Sequence, residues 1–357
     1  MDKIYGVVLI GCGHIGEEHI AQIYYRDNIR IVAVVDADEQ KARLFAMKYG
    51  ADRYGIDYHE FITRDDVDIV IIATYVSTHL SILRDCVVAG KHVLCEKPIA
   101  ANARDGQEFY RLAKNGRSQV LVAHILSRNA SYIKIRDLIR SGAIGRLKTV
   151  RMTQNHHALD WERYRRLLED CSPILDCGVH YFDVLQWFTG SAITEVMGMG
   201  AVVDADLEPG RYNYGIVTMR LEDGTVGYYE AGWGRTFASG NVKQFIGDQG
   251  HITLTMQAGR GRHVEMGDLI EVYHAVSDTY EQINVPAVYK DMWGQLCSLI
   301  DRIEGRPTDA PTIEEAYSAF RVALAADQAV RTGSIVRVED MPETAGLHET
   351  RVVPIDA

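Results

Sequence analysis

Apolar residues follow two patterns along the chain, and the change near residue 125 divides it. Up to that point they come in short continuous runs, Val7 to Ile10, Ile31 to Val35, Val67 to Thr74, Lys91 to Glu96 and Gln119 to Ala123, with a shorter strand near Ala51 to Tyr54. Runs of this length without alternation are what a parallel sheet covered on both faces needs. Between them the spacing turns helical: from beyond Asp36 to Tyr49, from Thr78 to Ala89 with Gly90 as the stop, and from Ala103 to Asn115. Strand and helix in strict alternation predict an α/β doubly wound sheet whose ligands bind at the carboxyl ends of its strands, where Asp36, Thr74 to His79, Glu96, Lys97 and His124 fall.

Past Ser127 the grammar changes. A helix over Ser131 to Ser141 is closed by Gly142, and Gly145 to His156 alternates as a strand. Further strands are expected near Ile193 to Val203, Tyr212 to Leu221, Val226 to Trp233, Lys243 to Phe245, Ile252 to Met256 and Leu269 to His274, with turns such as Glu222-Asp223-Gly224 between them. This predicts an α+β domain with an open, mainly antiparallel sheet. Two helices follow, Val288 to Glu304 and Ile313 to Thr332, the second opened by a Thr312/Glu315 capping box and ended by Gly333. From Asp340 a polar tail is expected over the surface. The expected domains are therefore residues 1–125 and 126–357.

At 357 residues both domains can bury a core of their own, and the net charge of -11 argues against nucleic acid or an anionic membrane as partner. No apolar run approaches a membrane span, and the first residues lead straight into a strand, so no signal peptide is expected. The six cysteines form no C-x-x-C pair, so a reducing cytoplasm is the expected setting.

Gly11-Cys12-Gly13-His14-Ile15-Gly16 directly after the first strand is a G-x-G-x-x-G turn opening a helix, and Asp36 ends the second strand twenty residues later. In that order the elements make a dinucleotide site: the turn and the helix N-terminus, including His14 and Ile15, face a pyrophosphate, and the carboxylate takes the adenine ribose hydroxyls. After Asp36 come Ala37, Asp38, Glu39 and Gln40 before the first cation, Lys41, so a 2′-phosphate would meet carboxylates and NAD is expected rather than NADP.

Two further stretches carry chemistry. Lys97, between Glu96 and Pro98, stands at a strand end; the alternative is a surface lysine before a proline. A helix is expected from the Ser172 cap and Pro173 to about Phe188, placing Asp176, His180 and Asp183 on one face at i, i+4 and i+7. An imidazole with a carboxylate one turn away suits a general base, and a structural helix with a satisfied polar face is the other reading. Cys177 and His180, with Cys171, His156 and His157, match no metal-ligand motif, and no metal is expected.

Taken together, the glycine turn, Asp36, Glu96-Lys97-Pro98 and Asp176-x-Gly178-x-His180-x-x-Asp183 resemble the family of glucose-fructose oxidoreductase and inositol dehydrogenase (Gfo/Idh/MocA), as do Ser141-Gly142-x-x-Gly145 and Gly247-Asp248-Gln249-Gly250. The resemblance implies an N-terminal Rossmann domain, a C-terminal domain for substrate and oligomerisation, and an NAD(P)-dependent oxidoreductase acting on a sugar, polyol or sugar derivative. It carries the catalytic roles onto Lys97, Asp176 and His180: His180 takes the hydroxyl proton, Lys97 stabilises the alkoxide, and Asp176 orients His180 or binds a neighbouring hydroxyl. Thr74, His79 and Glu96 join the cofactor residues. In a loop expected to overhang the site, Trp161 and Arg163 are implied near the nicotinamide or the substrate and Tyr164 beside the substrate, a plain surface loop being the other reading, and Arg128 either contacts substrate or pairs with an acid. A homodimer or homotetramer is implied.

Two positions depart from the pattern, Tyr75 where relatives often have Pro after Ala-Thr, and Cys171-Ser172-Pro173 where they carry glycines. A glycoside-cleaving enzyme that recycles NAD and a non-catalytic NAD and sugar sensor are the competing functions. Loss of Lys97, Asp176 or His180 would favour the sensor, and all three are present.

Overall fold

The computed structural model describes residues 3–256, 267–286 and 290–341. They form two compact units, the first from the described residues within 1–128 and 290–317, the second from those within 129–289 and 318–357.

In the first unit the elements run β1 (Tyr5–Ile10), α1 (His14–Ile23), β2 (Ile29–Val35), α2 (Glu39–Tyr49), β3 (Arg53–Gly55), α3 (His59–Ile62), β4 (Ile69–Ile72), α4 (His79–Val88), β5 (His92–Cys95), α5 (Ala103–Asn115) and β6 (Val120–Val122). All six strands are parallel, in the order β3-β2-β1-β4-β5-β6. The order reverses between β1 and β4, which opens a crevice at their carboxyl ends. Every residue of β1 and β4 is buried, which is why their sequences are unbroken apolar runs.

The second unit contains α6 (Ala130–Arg140), β7 (Leu147–His157), α7 (Trp161–Asp170), α8 (Pro173–Asp176), α9 (Gly178–Thr189), β8 (Ile193–Ala201), β9 (Tyr214–Leu221), β10 (Val226–Gly234), β11 (Lys243–Gly247), β12 (Gly250–Thr255), β13 (Asp268–His274) and β14 (Thr279–Val285). The chain returns to the first unit for α10 (Met292–Ile303), crosses again within α11 (Ile313–Thr332), and ends its described part at β15 (Val336–Arg337) in the second. The nine strands order as β14-β13-β12-β11-β7-β10-β9-β8-β15. Every pairing is antiparallel except that of β7 with β10. One sheet face packs on α6 and α9 through Tyr132, Phe182, Phe188 and Phe245. On β8 the alternation leaves Met197 and Met199 exposed.

Several expectations need correcting. Trp161 to Asp170 is a helix rather than a loop: Asp160 caps it by accepting from the Arg163 amide at 3.3 Å, and Arg165 and Arg166 pair with Glu162 and Glu169 along its outer face. The helix expected to run unbroken from Ser172 is divided at Cys177 into α8 and α9. Strand β14 was not expected at all. A single cut at residue 125 also fails, because Leu296, Leu299 and Ile300 of α10 bury themselves in the core of the first unit with Leu9 and Ile20. Tyr5 Oη adds a hydrogen bond to Glu304 at 2.8 Å. The first residues expected for that helix, Val288 and Tyr289, and the tail beyond Met341 lie outside the described residues. The Thr312/Glu315 box is formed, with the Thr312 amide donating to Glu315 at 2.7 Å and the Glu315 amide to the Thr312 hydroxyl at 3.2 Å.

Candidate active site

The glycine turn is built by close approach. Gly11 takes φ +101°, and a Cβ there would lie 2.3 Å from the Ala73 carbonyl oxygen. A Cβ on Gly16 would lie 1.9 Å from the Gly11 oxygen, so α1 can start where it does only with glycine at this position. Around Gly13 the situation is opposite: a Cβ would meet nothing within 4 Å, leaving open space beside the first amides of α1. Gly13 supplies no side-chain cap, so those amides keep their capacity for an anion.

Asp36 is held in place by the turn itself. Its Oδ2 accepts from the Cys12 amide at 2.8 Å and its Oδ1 from the Asp38 amide at 2.9 Å, with further lone pairs left for ribose hydroxyls. Asp38 caps α2, and Lys41, the first cation after β2, has its Nζ 3.8 Å from that carboxylate. Burial, reinforced by the Asp36 charge, pushes the Cys12 thiol up to about 12, which keeps a thiolate away from the phosphate position. The residues therefore fit a dinucleotide: a donor-lined cradle with room in it, and a fixed acceptor at the next strand end.

The neighbouring strand ends are braced internally. His79 lies between two carbonyl oxygens, Nδ1 2.9 Å from that of Pro98 and Nε2 3.2 Å from that of Thr74, and so ties the ends of β4 and β5 together. Thr74 and Thr78 share a hydroxyl hydrogen bond of 2.7 Å. Glu96 is buried and meets His19 Nε2 at 2.8 Å. Burial pushes its carboxyl up, but the His19 hydrogen bond and the charges of His19 and Lys97 outweigh it, so the group stays ionised next to Lys97. His19 was not singled out from the sequence, because its partner lies 77 residues away.

Burial, helped by the Lys97 charge, lowers His124 from 6.5 to about 4. The unfolded ring takes a proton more readily than the folded one between these values. The stability gained by keeping it neutral is complete above pH 6.5, declines as pH falls, and is gone below about 4. Melting temperature is expected to fall through this window, by the equivalent of about 3 kcal/mol, and His124→Gln to flatten the fall. Glu96 adds acid sensitivity only below its ordinary value of 4.5, which separates the two contributions.

Arg128 does not stand open. Its Nη1 donates to Ser298 Oγ at 2.8 Å and its Nε reaches Asp291 at 3.5 Å, so it braces the start of α10.

In the second unit, Ser172 caps α8 through the Leu175 amide at 3.1 Å, with Pro173 in the first turn. Asp176 and His180 flank the Cys177 break, both half-buried, and Asp183 is buried. Cys177 Sγ donates to Asp176 Oδ2 at 3.6 Å. His156 Nδ1 lies 3.0 Å from the Tyr164 hydroxyl, and both rings pack on the buried Trp233. Burial raises the Tyr164 phenol, the Arg163 charge opposes the rise, and Cys177 and Asp176 add to it. Trp161 Nε1 donates to Asp206 at 2.8 Å under the Arg235 guanidinium. Two residues read from the sequence only as strand ends belong to this neighbourhood: Trp233, and Lys243, a fully buried amine that donates to the Thr153 carbonyl at 2.6 Å and lies 4.3 Å from the Tyr181 ring centre beneath α9.

Both parts of the chain are similar to known proteins. Residues 5–124 match the oxidoreductase family model with an NAD-binding Rossmann fold, and residues 132–253 match the GFO/IDH/MocA C-terminal domain. The myo-inositol 2-dehydrogenase of Thermotoga maritima is 26% identical over 246 residues, covering 68% of this chain and 73% of that protein. The inositol 2-dehydrogenase of Burkholderia ambifaria is 33% identical over 190 residues, so the match spans about half of each, 52% and 55%. In fold, the chain resembles scyllo-inositol dehydrogenase from Lactobacillus casei, solved with NAD(H) and scyllo-inositol, at a TM-score of 0.75 and 19% identity over 94% of this chain and 100% of that one. With both domain models matched in sequence and the two units folded accordingly, the chain belongs to the Gfo/Idh/MocA oxidoreductase family.

Proposed function

We propose that the chain oxidises a ring carbinol of an inositol, or of a sugar or sugar derivative of similar shape, with NAD as partner. The likeness to the Thermotoga myo-inositol 2-dehydrogenase over two thirds of the chain carries the substrate class. The choice of NAD rests on Asp36, pinned by two amides, with Asp38 and Glu39 following and Lys41 paired to Asp38. When bound, the nicotinamide supplies the acceptor for the hydride.

The chain's own groups handle the proton and the charge. His180, whose Nδ1 is buried, takes the hydroxyl proton at Nε2. Asp176, on the other side of the Cys177 break, steadies the imidazolium or binds the adjacent hydroxyl. Lys97 donates to the oxygen as it becomes alkoxide, an interaction worth about 3 kcal/mol on the barrier by analogy with oxyanion donors. Run backwards, the same residues reduce a ketone. Tyr164, fixed by His156, and Trp161, fixed by Asp206, offer rigid aromatic faces suited to the apolar face of a ring, whereas Arg128 serves α10. We place the chain in a reducing cytoplasm, in keeping with its six free thiols. Assembly as a homodimer or homotetramer is assigned to the sheet face that bears Met197 and Met199.

An NADH-formation screen over inositols, aldoses, uronates and glycosides tests the reading. Net NADH with at least one inositol or sugar is expected, with NAD preferred over NADP by on the order of 100-fold, since a 2′-phosphate meets carboxylates and no arginine. Leaving-group release from a glycoside without net NADH would assign oxidation and elimination instead. Binding of NAD with no turnover of any compound would make the chain a sensor.

A further inference from the structure

We infer that Lys290 is a cofactor-phosphate ligand, an ammonium delivered to the glycine turn by the segment that re-enters the first unit after the nine-stranded sheet. The inference rests on the dinucleotide reading of that turn and adds a residue that neither the turn motif nor the family models assign.

Lys290 Nζ lies 3.3 Å from Nε2 of His14, the first residue of α1, and 3.5 Å from Glu18 Oε1, one turn further along the same helix. The backbone that carries it is fixed. Gln22 Nε2 donates to the Lys290 carbonyl at 2.9 Å, while Gln22 Oε1 accepts from the amides of Met292 at 3.1 Å and Trp293 at 3.3 Å. Asp291 then caps α10 through the Gly294 amide at 2.8 Å. One glutamine of α1 thus sets where the lysine side chain begins, and the side chain brings its charge to His14, the residue that follows Gly13 and opens α1.

A pyrophosphate brings about two negative charges to this spot. The helix N-terminus offers roughly half a positive charge, and the Gly11–Gly16 turn holds no lysine or arginine in a chain of net charge -11. Its partners without cofactor are modest: one partly exposed carboxylate at 3.5 Å and an imidazole edge. A phosphate oxygen competes readily for such an ammonium, whose long stem lets the charge move while the backbone stays clamped.

Ligand binding by titration calorimetry, with the full chain, tests this without any need for turnover. Lys290→Met is expected to weaken NAD and ADP-ribose about tenfold and to leave adenosine, which has no phosphate, within twofold of the original protein. Lys290→Arg should stay within threefold for all three, and the weakening of NAD by added salt should be shallower in Lys290→Met. Unchanged ADP-ribose affinity in Lys290→Met overturns the assignment, and so does an equal loss of adenosine, which would mark a general distortion of the site. If the original protein binds neither NAD nor ADP-ribose, the dinucleotide reading itself falls and takes this inference with it.

Discussion

Replacing His180 by alanine is expected to lower kcat for the oxidation of the polyol about a thousandfold while leaving the NAD dissociation constant within twofold of the original. The imidazole stands half-buried in the first turn of α9, three residues beyond the Cys177 break, where its main-chain amide donates to the Cys177 carbonyl at 3.2 Å. That placement gives the ring a fixed origin. Under the proposed reading its loss removes the proton acceptor and nothing that touches the dinucleotide, so the damage appears in kcat and not in cofactor affinity. His180→Gln keeps a polar side chain that reaches about as far as Nε2 without a usable base, and is expected to be as slow. Steady-state rates beside a binding titration separate the two quantities. A variant that turns over within tenfold of the original removes His180 from the mechanism.

The second large effect comes from two glycines of one turn that respond in opposite ways. At Gly16 a methyl group has nowhere to go: it would sit 1.9 Å from the Gly11 carbonyl oxygen, a backbone atom that cannot rotate aside. Gly16→Ala must push α1 away from β1 and open the contact with the Leu9 side chain, 3.6 Å from the same point. A cost of about 3 kcal/mol is expected, read as a fall in the thermal midpoint, together with loss of NAD binding. At Gly13 the methyl meets nothing within 4 Å, and the residue's φ of -89° suits alanine. Gly13→Ala should melt within a degree or two of the original protein yet bind NAD at least tenfold more weakly, because the space it fills is the space the pyrophosphate needs. Equal melting of the two variants, or unaltered NAD binding in Gly13→Ala, would contradict the placement of the cofactor on this turn.

The parts of the fold that could be read in advance are those whose cause is local. Val7 to Ile10 and Ile69 to Ile72 are buried on both faces, so their sequences show it without help from neighbours. Thr312 and Glu315 form their box within one helical turn, and Asn102 caps α5 through the Asp105 amide at 2.9 Å, so both helix starts are visible in the sequence. Helix α7 was misread as a loop because Leu168 is its single fully buried residue, and its charged faces leave no apolar stripe; the informative signal was Asp160 followed by Glu162, Arg165, Arg166 and Glu169 at helical spacing. Strand β14 is largely exposed, and Thr-Tyr-Glu-Gln over its first half gave no alternation to read.

Distance along the chain limits the site reading in the same way. Lys97, Asp176 and His180 could be named because their neighbours in sequence carry the motif. The Glu96–His19 contact, the bracing of Arg128 by Asp291 and Ser298, and the position of Lys290 beside His14 are made by side chains 77 to 276 residues apart. Composition and periodicity hold no trace of such pairs.

Under the proposed mechanism Lys97 and His180 serve one oxygen in one chemical step, and a double-mutant cycle on kcat with an inositol or sugar that the chain turns over tests this most directly. Lys97→Met and His180→Ala are each expected to slow the step by roughly a hundredfold or more, and the double variant to be barely slower than the slower single one, since a base and a charge stabiliser acting on the same atom lose their value together. If the two losses multiply in full, the residues work independently and the claim is wrong.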